Sequence, residues 1–212
     1  MGLQEGTTPV TIHFHFDPLC PLAWRTALWA REARKVRSIQ VRWRLFSLEV
    51  VNRQPGVEPD YGNGNGWAAL RSLALARRQS GNEGIEKLYI SLGNAQHGHK
   101  ESIRERGVVE ACAEKAGLGA GFVQAALADE STIGDVLSDH EEAVKRYHAF
   151  GVPTIALEGS DVGFYGPVIQ TVPRGEEAGQ WWDYTLWALQ QPNLFELKRK
   201  RVGMQLGPVW AE

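Results

Sequence analysis

Hydrophobic and polar residues alternate strictly over residues 10–16, VTIHFHF. Val10, Ile12, Phe14 and Phe16 fall on one side, and Thr11, His13 and His15 on the other. A period of two predicts a strand. Pro21 then opens PLAWRTALWAREARK, where Leu22, Ala23, Ala27, Leu28 and Ala30 form a broad apolar stripe at helical spacing. Alternation returns in SIQVRWRLFSL through Ile39, Val41, Trp43 and Leu45. Strand, helix and strand in this order predict two parallel strands joined by a right-handed crossover.

The pattern changes near residue 53. NRQPGVEPDYGNGNG is a Pro/Gly/Asn loop, and helical periodicity follows over residues 67–80 and 83–96, in RERGVVEACAEKAGL, in GAGFVQAALAD and on to Gly151. Strand signals reappear at PTIALEG and VGFYG, with Gly159–Asp161 as the turn between them. A last amphipathic helix, EEAGQWWDYTLWALQQ, precedes the basic run FELKRKR, which as a solvated stretch needs no function. The order β-α-β, helical block, α, β-β-α predicts an α/β fold: a thioredoxin-like domain (1–54 and 136–212) carrying an all-helical insertion (55–135).

Composition narrows the function classes. The 212 residues are 43% hydrophobic and carry a net charge of −2, which argues against a nucleic-acid or anionic-membrane partner. No stretch approaches the roughly 18 apolar residues of a membrane span. MGLQEGTTPV lacks the basic start and apolar core of a secretory leader, and Gly6 stands where a myristoylation signal has Ser or Thr. Two cysteines, Cys20 and Cys112, exclude a disulfide framework and fit a reducing cytoplasm, although a single bridge between them stays open. Eight tryptophans are expected mostly to fill the core, with Trp24 the one nearest candidate chemistry.

That chemistry centres on FDPLCPLAW, residues 16–24. Cys20 falls at the predicted N-cap and Pro21 at N1. A sulfur there faces unpaired backbone N–H groups and the positive end of the helix dipole, so its pKa is expected below the free value of about 8.5. Asp17 either passes a proton to the sulfur or forms an Asp-Pro turn. Cys112 lies on an apolar stripe with Val109, Ala113 and Ala116, which predicts a packing role. HGHK at 97–100 and the pair His13 and His15 lack the further ligands of a metal site, so none is expected. GNGNG lacks the Lys-Ser/Thr of a phosphate loop and is expected to be a plain loop, able to lie over a pocket.

FDPLCPLAW, SLEVVN, LYISLGNAQH, GVPTI, FYGPV and FELKRKR occur in an order that resembles the DsbA-like proteins of actinobacteria, specifically the mycothiol-dependent nitroreductase group, over about residues 9–201. The resemblance implies a thioredoxin domain with a helical insertion, and a cis peptide between Val152 and Pro153 beside the cysteine. It also implies a low-molecular-weight thiol such as mycothiol as co-reactant, with no tightly bound cofactor. Asn52, Tyr61 and His97 lie in matching segments and are expected to line the pocket. That group typically shows Cys-Pro-Trp-Cys, whereas this chain has Cys20, Pro21, Leu22 and Ala23. Dithiol redox activity therefore does not carry over.

Three functions remain open. In the first, the Cys20 thiolate adds reversibly to a hydrophobic unsaturated small molecule and isomerises its double bond. In the second, Cys20 forms mixed disulfides that mycothiol resolves. In the third, the protein is a non-catalytic binder. Leu22 and Ala23 make an apolar floor, with Trp24, Tyr61 and Trp67 as expected walls, which places the first ahead. The substrate could travel free or on a carrier protein, and a homodimer is left open.

Overall fold

The computed structural model describes residues 8–54, 56–62, 64–201 and 203–212. The leader reading, and residues 1 and 55 where two expected segments begin, lie outside them. The elements are β1 (Val10–Phe16), α1 (Pro21–Ala33), β2 (Ile39–Leu45), α2 (Leu48–Asn52) and α3 (Trp67–Gly93), then a π-helical turn (Asn94–His99). Next come α4 (Arg106–Lys115), α5 (Phe122–Ala128), α6 (Ser131–Tyr147), β3 (Thr154–Leu157), β4 (Gly163–Tyr165) and α7 (Gly175–Leu189).

The sheet order is β2-β1-β3-β4. β1 and β2 are parallel, as the crossover requires, while β3 and β4 pair antiparallel. The alternation in β1 assigns its two faces. Phe14 and Phe16 meet Trp43 of β2 and Tyr89 of α3, with Phe16 and Tyr89 stacked at 3.8 Å. His13 and His15 face α6, where His15 meets Tyr147 edge to face and His13 lies near Glu142. On the aromatic side α7 packs against α1, and the Trp29 indole donates to the Ala178 carbonyl at 3.0 Å. β2 is an edge strand, and an open edge invites unwanted pairing. Asn82 closes it, accepting from Trp43 N–H at 3.0 Å and donating to Val41 C=O at 2.8 Å.

The expected pair of helices over 67–80 and 83–96 is α3, interrupted at Ser80 and Gly81, where φ reaches +61° at the glycine. Its second half ends at Gly93, three residues before the expected end, where the π-helical turn takes over. The expected domain boundary at 135/136 falls inside α6. That helix packs on α3 and on both β1 and β2, so the backbone has no break there. α2 was not anticipated: a five-residue helix capped by Ser47 Oγ on Val50 N–H is too short to show a period. Five of the eight tryptophans, Trp24, Trp29, Trp43, Trp67 and Trp182, are buried, so core filling dominates. No described helix is long and apolar enough to cross a membrane.

Burial also sets the acid behaviour of the fold. Removal from water holds the pKa of His15 down to about 3 and those of His97 and His140 to about 4. His140 Nδ1 accepts the Ser47 N–H at 3.3 Å, a bond that protonation of that nitrogen would break. As pH falls below 6.5 the unfolded chain binds protons at these positions while the folded chain does not, so stability is lost. Burial raises Asp17 to about 6 from 3.8, which acts in the opposite direction as a single group. Denaturant unfolding is therefore expected to show stability falling from pH 6.5 to 4. A net uptake of one proton corresponds to about 1.4 kcal/mol per pH unit. A flat profile across that range would refute the assignment.

Candidate active site

The end of β1 and the start of α1 are joined by a turn that Asp17 organises. Its Oδ1 accepts Leu19 N–H at 2.8 Å and its Oδ2 accepts Leu48 N–H at 2.7 Å, while Cys20 N–H donates to the Asp17 carbonyl at 2.9 Å. Of the two roles expected for Asp17, the geometry shows the turn, and it adds a tie to the start of α2. Both carboxylate oxygens are engaged by main-chain donors.

Cys20 is the N-cap of α1, with Pro21 at the first helical position. Its sulfur accepts the Ala23 N–H at 3.4 Å and donates its proton to the Val152 carbonyl at 3.4 Å. The Val152–Pro153 peptide is cis, as is Gly166–Pro167. The predicted cap, the predicted proline loop and the sulfur thus meet at one point.

The electrostatics correct one expectation. Cys20 is only 6% exposed, and burial pushes its thiol pKa up from the ordinary value. The amides of Ala23 and Leu22 pull it down, Asp17 adds to the rise, and the net direction is upward. The expected lowering rested on the helix N-terminus alone, and desolvation of the thiolate outweighs it. At neutral pH the resting group is a thiol.

The predicted site residues fall into two groups. Pro21 is exposed and Leu22 half-buried beside the sulfur, while Ala23, Val152 and Pro153 are buried under it. Trp24 is 1% exposed, held between Tyr89 and His97, and the close approach of α3 depends on Gly93, where a Cβ would come within 2.3 Å of the Trp24 ring. His97 Nε2 lies 2.9 Å from the Pro18 carbonyl, so it carries the proton and ties the π-helical turn to the cysteine turn. Trp67, fully buried, donates to Glu49 at 2.8 Å and meets Tyr61 edge to face. Tyr61 lines a cavity of about 280 Å³ with Val50, Leu137 and His140, whose walls do not include Cys20. Asn52 is exposed and bonds back to Leu48 C=O at 2.8 Å.

Sequence reasoning missed Tyr89. Its ring stacks on Phe16, and its hydroxyl is buried with no hydrogen-bond partner. Burial raises its pKa, and so do the Cys20 and Asp17 charges. It stood within LYISLGNAQH, but a tyrosine on an apolar helix stripe gives no signal of its own. Cys112, buried on α4, donates to Ser91 C=O at 3.6 Å, and both cysteines are free. Among the described residues no group of three or more His, Cys, Asp or Glu is placed to hold a metal ion.

A thioredoxin-like sheet with a helical insertion, and a cysteine at the first helix N-cap facing a cis-proline loop, define a thiol-dependent enzyme of the DsbA-like class. The chain belongs to the Rv2466c-like family, described as mycothiol-dependent nitroreductase Rv2466c, which matches residues 19–199. It is similar to the uncharacterized protein Rv2286c of Mycobacterium tuberculosis, with 33% identity over 193 residues, 90% of this chain and 82% of that protein. Among solved structures it is similar to the probable DsbA oxidoreductase SCO1869 of Streptomyces coelicolor (18% identity, TM-score 0.64, 96% of this chain and 100% of that one). It is also similar to the cytosolic disulfide reductase DsbM of Pseudomonas aeruginosa with GSH (18%, 0.58, 84% and 100%). A third similar structure is 2-hydroxychromene-2-carboxylate isomerase (18%, 0.57, 74% and 88%). At these identities the structures speak for the fold.

The Ala23 amide bonded to the sulfur marks where a resolving thiol would stand. Ala23→Cys is expected to form a 20–23 disulfide on mild oxidation, read as loss of both thiols in mapped peptides. Two free thiols at these positions after oxidation would contradict the geometry.

Proposed function

We propose that Cys20 works as a single nucleophile in chemistry that needs no second protein thiol. The observation that carries this reading is the occupant of position 23: an alanine whose N–H bonds the sulfur. The chain's other thiol is engaged elsewhere, at Ser91.

In the leading reading the substrate is a hydrophobic, unsaturated carbonyl compound, free or on a carrier protein. The sulfur bonds to the β-carbon, the electron pair of the double bond moves toward the carbonyl, and the thiol proton passes to the α-carbon. The former double bond then rotates. Reversal breaks the C–S bond, returns the proton to sulfur and releases the other geometrical isomer with no net redox change. Leu22, Ala23 and Val152 give the sulfur an apolar surround that suits such a ligand.

Family membership favours a second reading, with mycothiol as co-reactant. Cys20 attacks a mixed disulfide of mycothiol, forms Cys20–S–S–mycothiol and releases the substrate thiol. A second mycothiol then frees Cys20 as mycothiol disulfide leaves, so the substrate sulfur is reduced to a thiol while one free mycothiol is oxidised. Either reaction suits a cytoplasmic setting, where unpaired thiols persist.

The two readings separate by trapping. The protein is incubated with a mixed mycothiol disulfide and, in parallel, with an α,β-unsaturated carbonyl compound, and the adducts are mapped by mass. Under the leading reading the carbonyl compound modifies Cys20, and substrate returned from it is isomerised. Modification by the disulfide alone would replace it with the second reading. If neither reagent modifies Cys20, and Cys20→Ser behaves as wild type, the protein is a binder.

A further inference from the structure

Beyond α7 the chain runs exposed and without regular structure over residues 195–201 and then returns to the protein at residues 207–212. There it is held at alternate positions, as an extended peptide would be. Arg25 donates to the Gly207 carbonyl. The Trp24 indole donates to the Val209 carbonyl at 2.9 Å, and Val209 N–H donates to the His97 carbonyl at 3.1 Å. The Asn94 amide engages both main-chain groups of Ala211, accepting from its N–H at 2.6 Å and donating to its C=O at 3.3 Å. Successive residues of an extended chain face opposite ways, so residues 207, 209 and 211 address one surface. Val209 and Ala211 also pack against the core, while Trp210 lies half-exposed over His99.

These contacts recognise main-chain groups, the mode by which proteins take up extended segments. Arg25 adds a charge-assisted donor to this surface. With residues 207–212 in place it is 7% exposed, and among the described residues it donates to the carbonyls of Gln170 and Gly207. Withdrawal of the segment takes the Gly207 carbonyl from this cation and leaves water as the replacement acceptor. The residues that read the segment also touch the cysteine turn: Trp24 N–H donates to Cys20 C=O at 3.0 Å, and the His97 ring bonds Pro18.

We propose that Trp24, Arg25, Asn94 and His97 form a polypeptide-binding groove, filled by the chain's own residues 207–211 as an exchangeable ligand that sets the exposure of Cys20. The exposed stretch over 195–201 serves as a tether that keeps this ligand at high local concentration. The inference does not depend on which bond Cys20 makes in turnover.

The test inserts a site-specific protease sequence after Arg201 and cuts the folded protein. Cut protein is mixed with a fluorescent peptide of residues 204–212, and anisotropy is followed alongside the mapped alkylation rates of Cys20 and Cys112. Saturable uptake, displaced by unlabelled peptide, is expected. Cut protein diluted free of its segment should alkylate several-fold faster at Cys20 only, and added peptide should restore the slow rate. A peptide with Val209→Pro, which lacks the N–H that His97 receives, should bind several-fold more weakly. In the uncut chain Val209→Pro should itself speed Cys20 alkylation, a check that survives if the cut protein does not stay folded. No uptake, equal binding of the proline peptide, or a Cys20 rate indifferent to the peptide would overturn the proposal.

Discussion

The position of one sulfur governs the rest of this structure. Cys20 must sit at the end of β1 and the start of α1, and be covered there while keeping partners for its proton and its lone pairs. The Ala23 amide and the Val152 carbonyl meet that requirement from opposite sides. Asp17 fixes the turn that delivers the residue, and its second oxygen draws in α2. His97 ties the π-helical turn to the same corner through Pro18. Elements far apart in the chain converge because each closes one side of the cysteine turn.

That enclosure has an energetic consequence. A helix N-terminus stabilises a thiolate, but only within a turn's reach and most effectively where water or further donors share the charge. Here the sulfur is covered by Val152 and apolar α1 residues, and the neighbouring Asp17 carboxylate does not favour a second negative charge. The cost of desolvation wins, and the resting nucleophile is neutral. A more basic sulfur is also the stronger nucleophile once deprotonated, so a substrate that opens or displaces the Val152 contact meets a reactive group that bulk solvent does not.

Much of this was legible in the residues. The period-two runs at β1 and β2, the cysteine–proline start of α1 and the late antiparallel pair follow from local pattern, and local pattern is what the backbone obeys there. The meeting of Cys20 with Val152 and Pro153 was legible through the family resemblance, which implied a cis peptide beside the cysteine. Burial was not: the thiol pKa reversed because coverage by distant segments is a tertiary property. Tyr61, Trp67 and Asn52 sit in suggestive segments, but Tyr61 lines the cavity beside α6, Trp67 bonds Glu49 of α2 and Asn52 turns back onto Leu48. The return of residues 207–212 had no periodic signal, since its contacts are main-chain groups that any sequence supplies.

The central claim is that burial, not the helix N-terminus, decides the charge on Cys20. Its most direct test is the pH dependence of Cys20 alkylation in a Cys112→Ser variant, with the product mapped by mass. The inflection is expected above that of a free cysteine thiol, with the thiol intact at neutral pH. An inflection near neutrality would contradict it and restore a resting thiolate.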